Sequence, residues 1–498
     1  MQSLIQFFTS IGDLMTFNVI ALMLLSTTLG VIIGALPGLT ATMGVALLTG
    51  LTYKVPLEYT FVILMGIYVG AIYGGSISAI LLNIPGTPSA AATALDGHQL
   101  ALQGKAANAI KVTRTASVIG TLIGCMALVL LTPPLTKVAL SFKSPEFFML
   151  ALFGVLICGS IAQEDISLKG WIGGLIGISL AFIRIDDVEG VFRFTFNNYQ
   201  LASGIAIIPA MIGFYAVPEV IKAFQSKQDT DAMKVENTVK VKENILKITL
   251  SKWRTILQSS LIGVGIGALP GVGEDIAAWI AYEAARKTSK DGKKFGTGMY
   301  EGCIAPEVGN NAAIGGALIP LLSLGVPGSP PAAVLLGAFV LHGIIPGPRI
   351  EIESPGFISY MAALLLISVF ALWIVGSLIA KPVTKILKVK VLYLMPIVAC
   401  LCVIGSYAIG LSKFDMGMVF LFGVVGYILS LMKYSAAPIV LGLILGNMMD
   451  VKFRTALSAT NGKFTGFYTS PIVMFFFAII LVTIISQIYT TFKKTKVG

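Results

Sequence analysis

The residues of this sequence that can do chemistry are polar groups set into an otherwise apolar chain, and they gather at four breaks. The first is Leu36-Pro37-Gly38, followed by Thr40 and Thr42; the second runs Asn83-Ile-Pro-Gly86-Thr87-Pro-Ser89. The third is Leu269-Pro270-Gly271, followed by Gly273, Glu274 and Asp275; the fourth runs Gly325-Val-Pro-Gly328-Ser329 and is preceded by Glu307, Asn310 and Asn311. Proline and glycine interrupt helices, and an interruption frees backbone groups that lipid cannot satisfy. A helix that begins inside a membrane presents unpaired N–H groups and a positive dipole end, which suit a carboxylate. A helix that ends there offers carbonyl oxygens able to replace the hydration shell of a cation. The chemistry predicted is therefore the binding of an anion beside a cation. For the anion the candidates are Gly38, Thr40, Asn83, Gly86, Thr87, Ser89, Gly271, Asn310, Asn311, Gly328 and Ser329. For a coupling ion they are Thr42, Ser76, Asp275 and Glu307.

Each group has a plainer alternative. Glycine and serine also let helices pack closely. Adjacent asparagines in apolar surroundings need partners, which a neighbouring helix can supply as well as a ligand. Glu274 and Asp275 also fit a solvated helix start, where acids favour the dipole. Intramembrane acids are functional candidates by default. That brings in Asp96 and Glu301 too, whereas Glu283 and Arg286 read as a surface helix face. The breaks contain no Arg or Lys, so backbone amides and a co-bound cation would have to neutralise an anion there.

Absent motifs narrow the function. There is no Gly-x-x-x-x-Gly-Lys-Ser/Thr phosphate loop and no Gly-x-Ser-x-Gly elbow. Neither ATP hydrolysis nor serine hydrolase chemistry is therefore expected. Only His98 and His342 are present, and the five cysteines form no Cys-x-x-Cys pair. The cysteines read as small apolar packing residues. No enzyme activity and no resident cofactor is expected. The remaining energy source is an ion gradient, with sodium or a proton as the coupling ion.

Such breaks must be held by membrane-spanning helices, and the composition supplies them. The chain has 498 residues, of which 56% are hydrophobic and 12% charged. Soluble domains carry about 25% charged residues. Apolar stretches recur at Phe17–Leu36, Phe61–Leu82, Ser117–Leu131, Phe357–Ala380 and Pro471–Ile488. Stretches of this kind are suited to crossing a hydrocarbon core of about 30 Å. The segment Met1–Asn18 carries no Lys or Arg. It lacks the basic region of a cleavable signal, so the first apolar segment is expected to stay as a span. The net charge of +11 on its own would suit nucleic acid, but no basic tract interleaved with aromatics occurs. Basic cytoplasmic loops account for such a charge, and the polar stretch Lys222–Arg254 and the tail Lys493–Lys496 are expected in the cytoplasm. The short apolar segment between Ile256 and Pro270 reads as one that dips in and returns.

The breaks also repeat. Gly30–Gly38 and Gly263–Gly271 match at all but one position, and Ile72–Ala91 aligns with Ala313–Ala333 in the same order. Two colinear pairs indicate an internal duplication. The expected organisation is a first transmembrane repeat over 1–224, a basic cytoplasmic linker over 225–254 and a second repeat over 255–498. With an uncharged start to the first repeat and a basic start to the second, the repeats are expected to be inverted. The fold class is an all-α polytopic membrane protein with broken or re-entrant helices, its ligand site at the repeat interface.

The runs Tyr73–Pro88 through Ala94–Gly97, and Glu301–Ala312 leading into Gly315–Ser329, resemble the large membrane subunit of tripartite tricarboxylate transporters. With both Gly-Ala-Leu-Pro-Gly sites in register, the resemblance covers about residues 15 to 460. It implies a small four-helix membrane subunit and a periplasmic solute-binding protein as partners, in the bacterial cytoplasmic (inner) membrane. It further implies uptake of organic carboxylates such as citrate with sodium or protons, by an elevator-type motion. The competing reading of the residues is a passive anion channel whose broken helices form a selectivity filter.

Overall fold

A computed structural model describes residues 2–161, 167–225, 243–386 and 391–495. The chain is helical, with one two-stranded ribbon pairing Arg184–Ile185 with Phe192–Arg193. Among the described residues seven helices are long and apolar enough to cross a membrane. They are Phe17–Ala35, Leu57–Leu82, Ala106–Ala139, Ile207–Gln225, Phe357–Ile379, Lys413–Leu431 and Ala436–Ser458. Shorter apolar helices, among them Ala41–Leu51 and Pro330–Leu341, lie between them. Much of the basic linker, including Lys227, Lys234, Lys240 and Lys242, lies outside the described residues, as does the end of the basic tail at Lys496.

Two helices form the centre, Leu57–Leu82 and Tyr300–Leu324, and they are buried along nearly their whole length. Their apolar residues show no sidedness, as a helix enclosed on all sides requires. Phe17–Ala35 packs on the first and Trp253–Gly267 on the second. Ala106–Ala139 crosses to the second centre helix, while Phe357–Ile386 covers the first. Trp253–Gly267 turns at Pro270 and packs against Gly273–Thr288, forming a helical hairpin.

The repeated motifs make the same contacts in both halves. A Cβ on Gly34 would strike the Ala71 carbonyl, and one on Gly267 would strike the Ala313 carbonyl. Gly74 faces Val31 O as Gly316 faces Val264 O, and Gly86 abuts Gly34 O as Gly328 abuts Gly267 O. The Gly86 N–H donates to Gly75 O at 3.3 Å, and the Gly328 N–H to Ala317 O at 3.4 Å. Glycine is required at these positions because backbone meets backbone there.

Two acids flagged in the sequence tie loops down. Asp96 is fully buried; its Oδ1 accepts the N–H groups of Gly298 (2.9 Å) and Met299 (2.8 Å). Its Oδ2 accepts the Gly296 N–H and the Tyr282 hydroxyl, each at 2.9 Å. Glu301 is held by Lys252 (2.7 Å), Thr255 (2.6 Å) and Ser289 (2.9 Å). In the loop that carries the ribbon, outside the spans, a hydrogen bond from Arg454 and the charge of Arg193 hold the Asp186 carboxyl below the usual carboxylate range. Asp96→Asn turns an NH2 group toward two donors, which should cost about 2 kcal/mol. The detergent-solubilised variant should unfold at a lower temperature, with its substrate KM unchanged.

Candidate functional site

Helix starts from both halves converge on one cavity of about 340 Å³. That is the small end of ligand pockets, which span roughly 300–1,000 Å³. Thr40, Ala41 and Thr42 enter it from the start of Ala41–Leu51, and Glu274 and Asp275 from the first turn of Gly273–Thr288. Thr87, Pro88, Pro330 and Pro331 come from the second pair of breaks. Ser435, Ala436 and Ala437 open the Ala436–Ser458 helix against it. A further part of the wall comes from Ile207–Gln225: Phe214, Tyr215, Pro218, Glu219 and Lys222.

The helix starts are not equivalent. Thr40 caps its helix by accepting the Met43 N–H at 3.2 Å, and the Gly44 N–H bonds Thr40 O at 3.0 Å. The Ala41 and Thr42 N–H groups, at the first two helical positions, have no intrahelical acceptor to reach. The Pro330–Leu341 start differs, since Pro330 and Pro331 have no N–H and the Ser329 hydroxyl accepts the Ala332 N–H at 3.3 Å. This end contributes its dipole and two apolar rings, and the expectation of free amides at every break is corrected there.

Hydrogen bonds latch the two halves together beside the cavity. The Tyr68 hydroxyl bonds the Glu274 carboxylate and lies 2.8 Å from the Ser329 hydroxyl. In the other direction, Asn310 Nδ2 donates to Ser89 O at 3.4 Å. Thr87 and Ser89 hydroxyls are 2.9 Å apart. Asn311 donates to Asn310 Oδ1 at 2.7 Å and to Glu307 O at 3.0 Å, and Glu307 accepts from Thr93 and Ser117.

Of the residues singled out in the sequence, Thr40, Thr42, Thr87 and Asp275 line the cavity, with Ser329 and Ser89 directly behind it. Asn310, Asn311 and Glu307 form a buried polar cluster one layer deeper. Gly38 (φ 86°) and Gly271 (φ 71°) shape the turns in left-handed backbone, and neither lines the cavity. Gly86 and Gly328 serve close packing against carbonyls. Asn83 ends its helix in left-handed conformation at an exposed position, the place that Gly325 takes in the second half. Ser76 is buried and donates to Tyr73 O at 2.7 Å, away from the cavity. The reading of Glu274 as solvated is corrected, because the residue is 2% exposed and bonded to Tyr68.

Lys222 is a residue that sequence reasoning does not place at the site. It opens the polar stretch expected in the cytoplasm; it belongs to the last turn of Ile207–Gln225 and lines the cavity, 2.9 Å from Glu219. Tyr68 and the Ser435 helix start also escape it. The Ser435-Ala-Ala-Pro438 sequence does carry a usable signal for the latter. A capping hydroxyl before small residues is a helix-start signature.

The sequence profile of the tripartite tricarboxylate transporter TctA family matches residues 20–441. An uncharacterised 52.8 kDa protein in the TAR-I ttuC' 3' region of Agrobacterium vitis is 32% identical over 470 residues, covering 94% of this chain and 93% of the relative. A second uncharacterised protein of Agrobacterium vitis, in the TAR-II ttuC' 3' region, is 32% identical over 231 residues, or 46% of this chain and 96% of the relative. No solved structure matches. With a profile match across most of a polytopic helical chain, this protein belongs to the TctA family and is a membrane component of a tripartite tricarboxylate transport system.

Proposed function

We propose that this chain is the large subunit of a gradient-driven importer of organic di- or tricarboxylates. It works with a small membrane subunit and a periplasmic binding protein, in the bacterial inner membrane. The observation that carries the reading is the charge pattern of the cavity. Free amides at Ala41 and Thr42, the Ser435 helix start and Lys222 attract an anion, yet Glu219, Glu274 and Asp275 line the same cavity. Two unit charges about 4 Å apart repel by about 4 kcal/mol at an effective dielectric of about 20. A carboxylate therefore settles beside Glu274 and Asp275 only with a cation between them, which is the physical basis of symport. The matched contacts of the two motif pairs support an internal repeat with the cavity at its interface, and the uncharged start of the first repeat against the basic start of the second supports inversion. Motion of the cavity-bearing tips as a unit is the elevator step that this reading requires.

The test is uptake of labelled citrate, tartrate and succinate into proteoliposomes holding all three components, under imposed sodium or proton gradients. Saturable uptake with counterflow supports the carrier. Uptake that ignores both gradients, or large unitary currents, would overturn it in favour of a channel. Thr87→Ala and Asn310→Ala should each lower uptake about three- to tenfold with normal insertion, since each removes one hydrogen-bonding group of roughly 1 kcal/mol. Normal uptake by both variants would displace the site from this cavity.

A further inference from the structure

Glu307 is a buried acid that substrate binding in the cavity does not use. It sits within Tyr300–Leu324, 0% exposed. Its Oε1 accepts from Thr93 Oγ1 at 2.7 Å and its Oε2 from Ser117 Oγ at 2.8 Å. Among the described residues no Lys or Arg lies in ion-pair range of it. Two other deeply buried acids are compensated: Asp96 by three backbone N–H groups and a phenol, Glu301 by Lys252 and two hydroxyls. An ionised carboxylate with only two hydroxyls for company costs several kcal/mol in such a place.

Its neighbours can meet that cost by binding a cation. Thr93, Ser117 and Thr121 hydroxyls and the Asn310 and Asn311 amide oxygens are all oxygen donors. Both hydroxyls bonded to Glu307 can also turn to accept from a protonated carboxyl. The titratable and charged groups facing it are few. Tyr73 comes from Leu57–Leu82, Cys303 from its own helix and Asp96 from Ala91–Leu102, where loop amides already hold the carboxylate. Arg114 on Ala106–Ala139 turns away, bonding Ser377 at 2.6 Å and stacking on Trp373. Tyr73 lies in the electrostatic field of both Arg114 and Glu307, and its buried hydroxyl has no hydrogen-bond partner among the described residues. It is a polar group left for a further ligand to satisfy.

The cluster also connects to the substrate. The main-chain carbonyl of Glu307 accepts from Asn311, Asn311 donates to Asn310 and Asn310 to the Ser89 carbonyl, while the Ser89 hydroxyl meets Thr87 on the cavity wall. We propose that Glu307 is a second cation site, separate from the acidic wall of the cavity. It takes up one monovalent cation per cycle, a proton or a sodium ion, one layer behind the cavity wall. The proposal rests on the symport reading above and adds a stoichiometry to it. Each uncompensated negative charge moved against the membrane potential costs about 2.3 kcal/mol per 100 mV. A di- or trianion accompanied by one cation still moves net negative charge inward; one cation at the acidic wall and one at Glu307 neutralise a dianion.

The experiment compares wild type, Glu307→Gln and Glu307→Asp in proteoliposomes with both partner subunits. Two readouts are gradient-driven accumulation, as a function of sodium or proton concentration, and counterflow without gradients. The wild type should show a Hill coefficient near two for its driving cation, sodium or proton. Glu307→Gln should bring the coefficient near one and cut accumulation at least tenfold while counterflow stays within threefold. Glu307→Asp should recover part of the accumulation. Ser117→Ala, which leaves the carboxyl in place, should weaken the apparent cation affinity about threefold. Glu307→Gln with wild-type accumulation and coefficient would overturn the proposal. So would loss of counterflow in step with accumulation in correctly inserted protein, which marks a structural role. A wild type without counterflow would overturn the carrier reading, and this one with it.

Discussion

Lys222→Glu should raise the apparent KM for a tricarboxylate about a hundredfold, and Lys222→Gln about tenfold, while maximal rate falls little. Among the described residues Lys222 is the single Lys or Arg on the cavity wall, facing three acids. Its side chain is 44% exposed, so solvent screens its attraction for a carboxylate. The attraction then falls at the low end of charged hydrogen bonds, about 1.5 kcal/mol, or roughly tenfold in affinity. Reversing the charge removes that attraction and adds a repulsion of similar size. Removing Lys222 also leaves Glu219 without its partner at 2.9 Å, facing the incoming anion. Lys222→Gln combined with Glu219→Gln should therefore lose less affinity than Lys222→Gln alone. Lys222→Arg should stay near wild type, and the loss should grow with the number of carboxylates on the substrate. Initial-rate uptake measured over substrates of one, two and three carboxylates decides it. An unchanged KM in Lys222→Glu would remove Lys222 from the anion site.

The parts of this architecture carried by local chemistry were legible in the sequence, and the parts carried by juxtaposition were not. Proline followed by glycine breaks a helix wherever it falls. The breaks at Pro37-Gly38 and Pro270-Gly271, and their repetition, could therefore be read directly. Thr40, Thr42, Thr87 and Asp275 follow those breaks within a turn or two, and they do line the cavity. Lys222 gave no such signal, because nothing local to Val220-Ile-Lys222-Ala-Phe224 marks a site, and only the packing of Ile207–Gln225 sets it on a wall shared with Ser430, Tyr434 and Glu274. Tyr68 sits in an unbroken apolar run, and only the crossing of Leu57–Leu82 over the second-half breaks delivers its hydroxyl to Glu274. Asn83 and Gly325 show the converse. Asn83 was marked for binding by its place beside a Pro-Gly motif, yet it ends a helix in left-handed backbone just as Gly325 does. Such an ending needs Asn or Gly for conformational reasons alone.

Gly34→Ala and Gly267→Ala should each reduce uptake by at least tenfold, whereas Gly265→Ala, two residues away on the same helix as Gly267, should leave it unchanged. Three backbones meet at Gly34: its own helix, the Ala71 carbonyl of Leu57–Leu82, and Gly86 at the second break, which abuts the Gly34 carbonyl. Gly267 holds the matching position against Ala313 and Gly328. A methyl group at either site overlaps a backbone oxygen, which has no rotamer to escape into, so the helices must part. Overpacking of this kind costs about 1–3 kcal/mol, and more where the neighbour is rigid. The parting also carries Thr87 or Ser329 out of place, because each follows directly on the glycine that touches the crossing. A displacement of about 1 Å is enough to spoil a preorganised binding site. Gly265 has nothing within 4 Å of an added Cβ, so its substitution controls for helix propensity and insertion. Equal damage from Gly34→Ala and Gly267→Ala would also show that the two crossings bear on one shared site. Wild-type uptake by either variant would mean that the close approach at that crossing is not what positions the cavity.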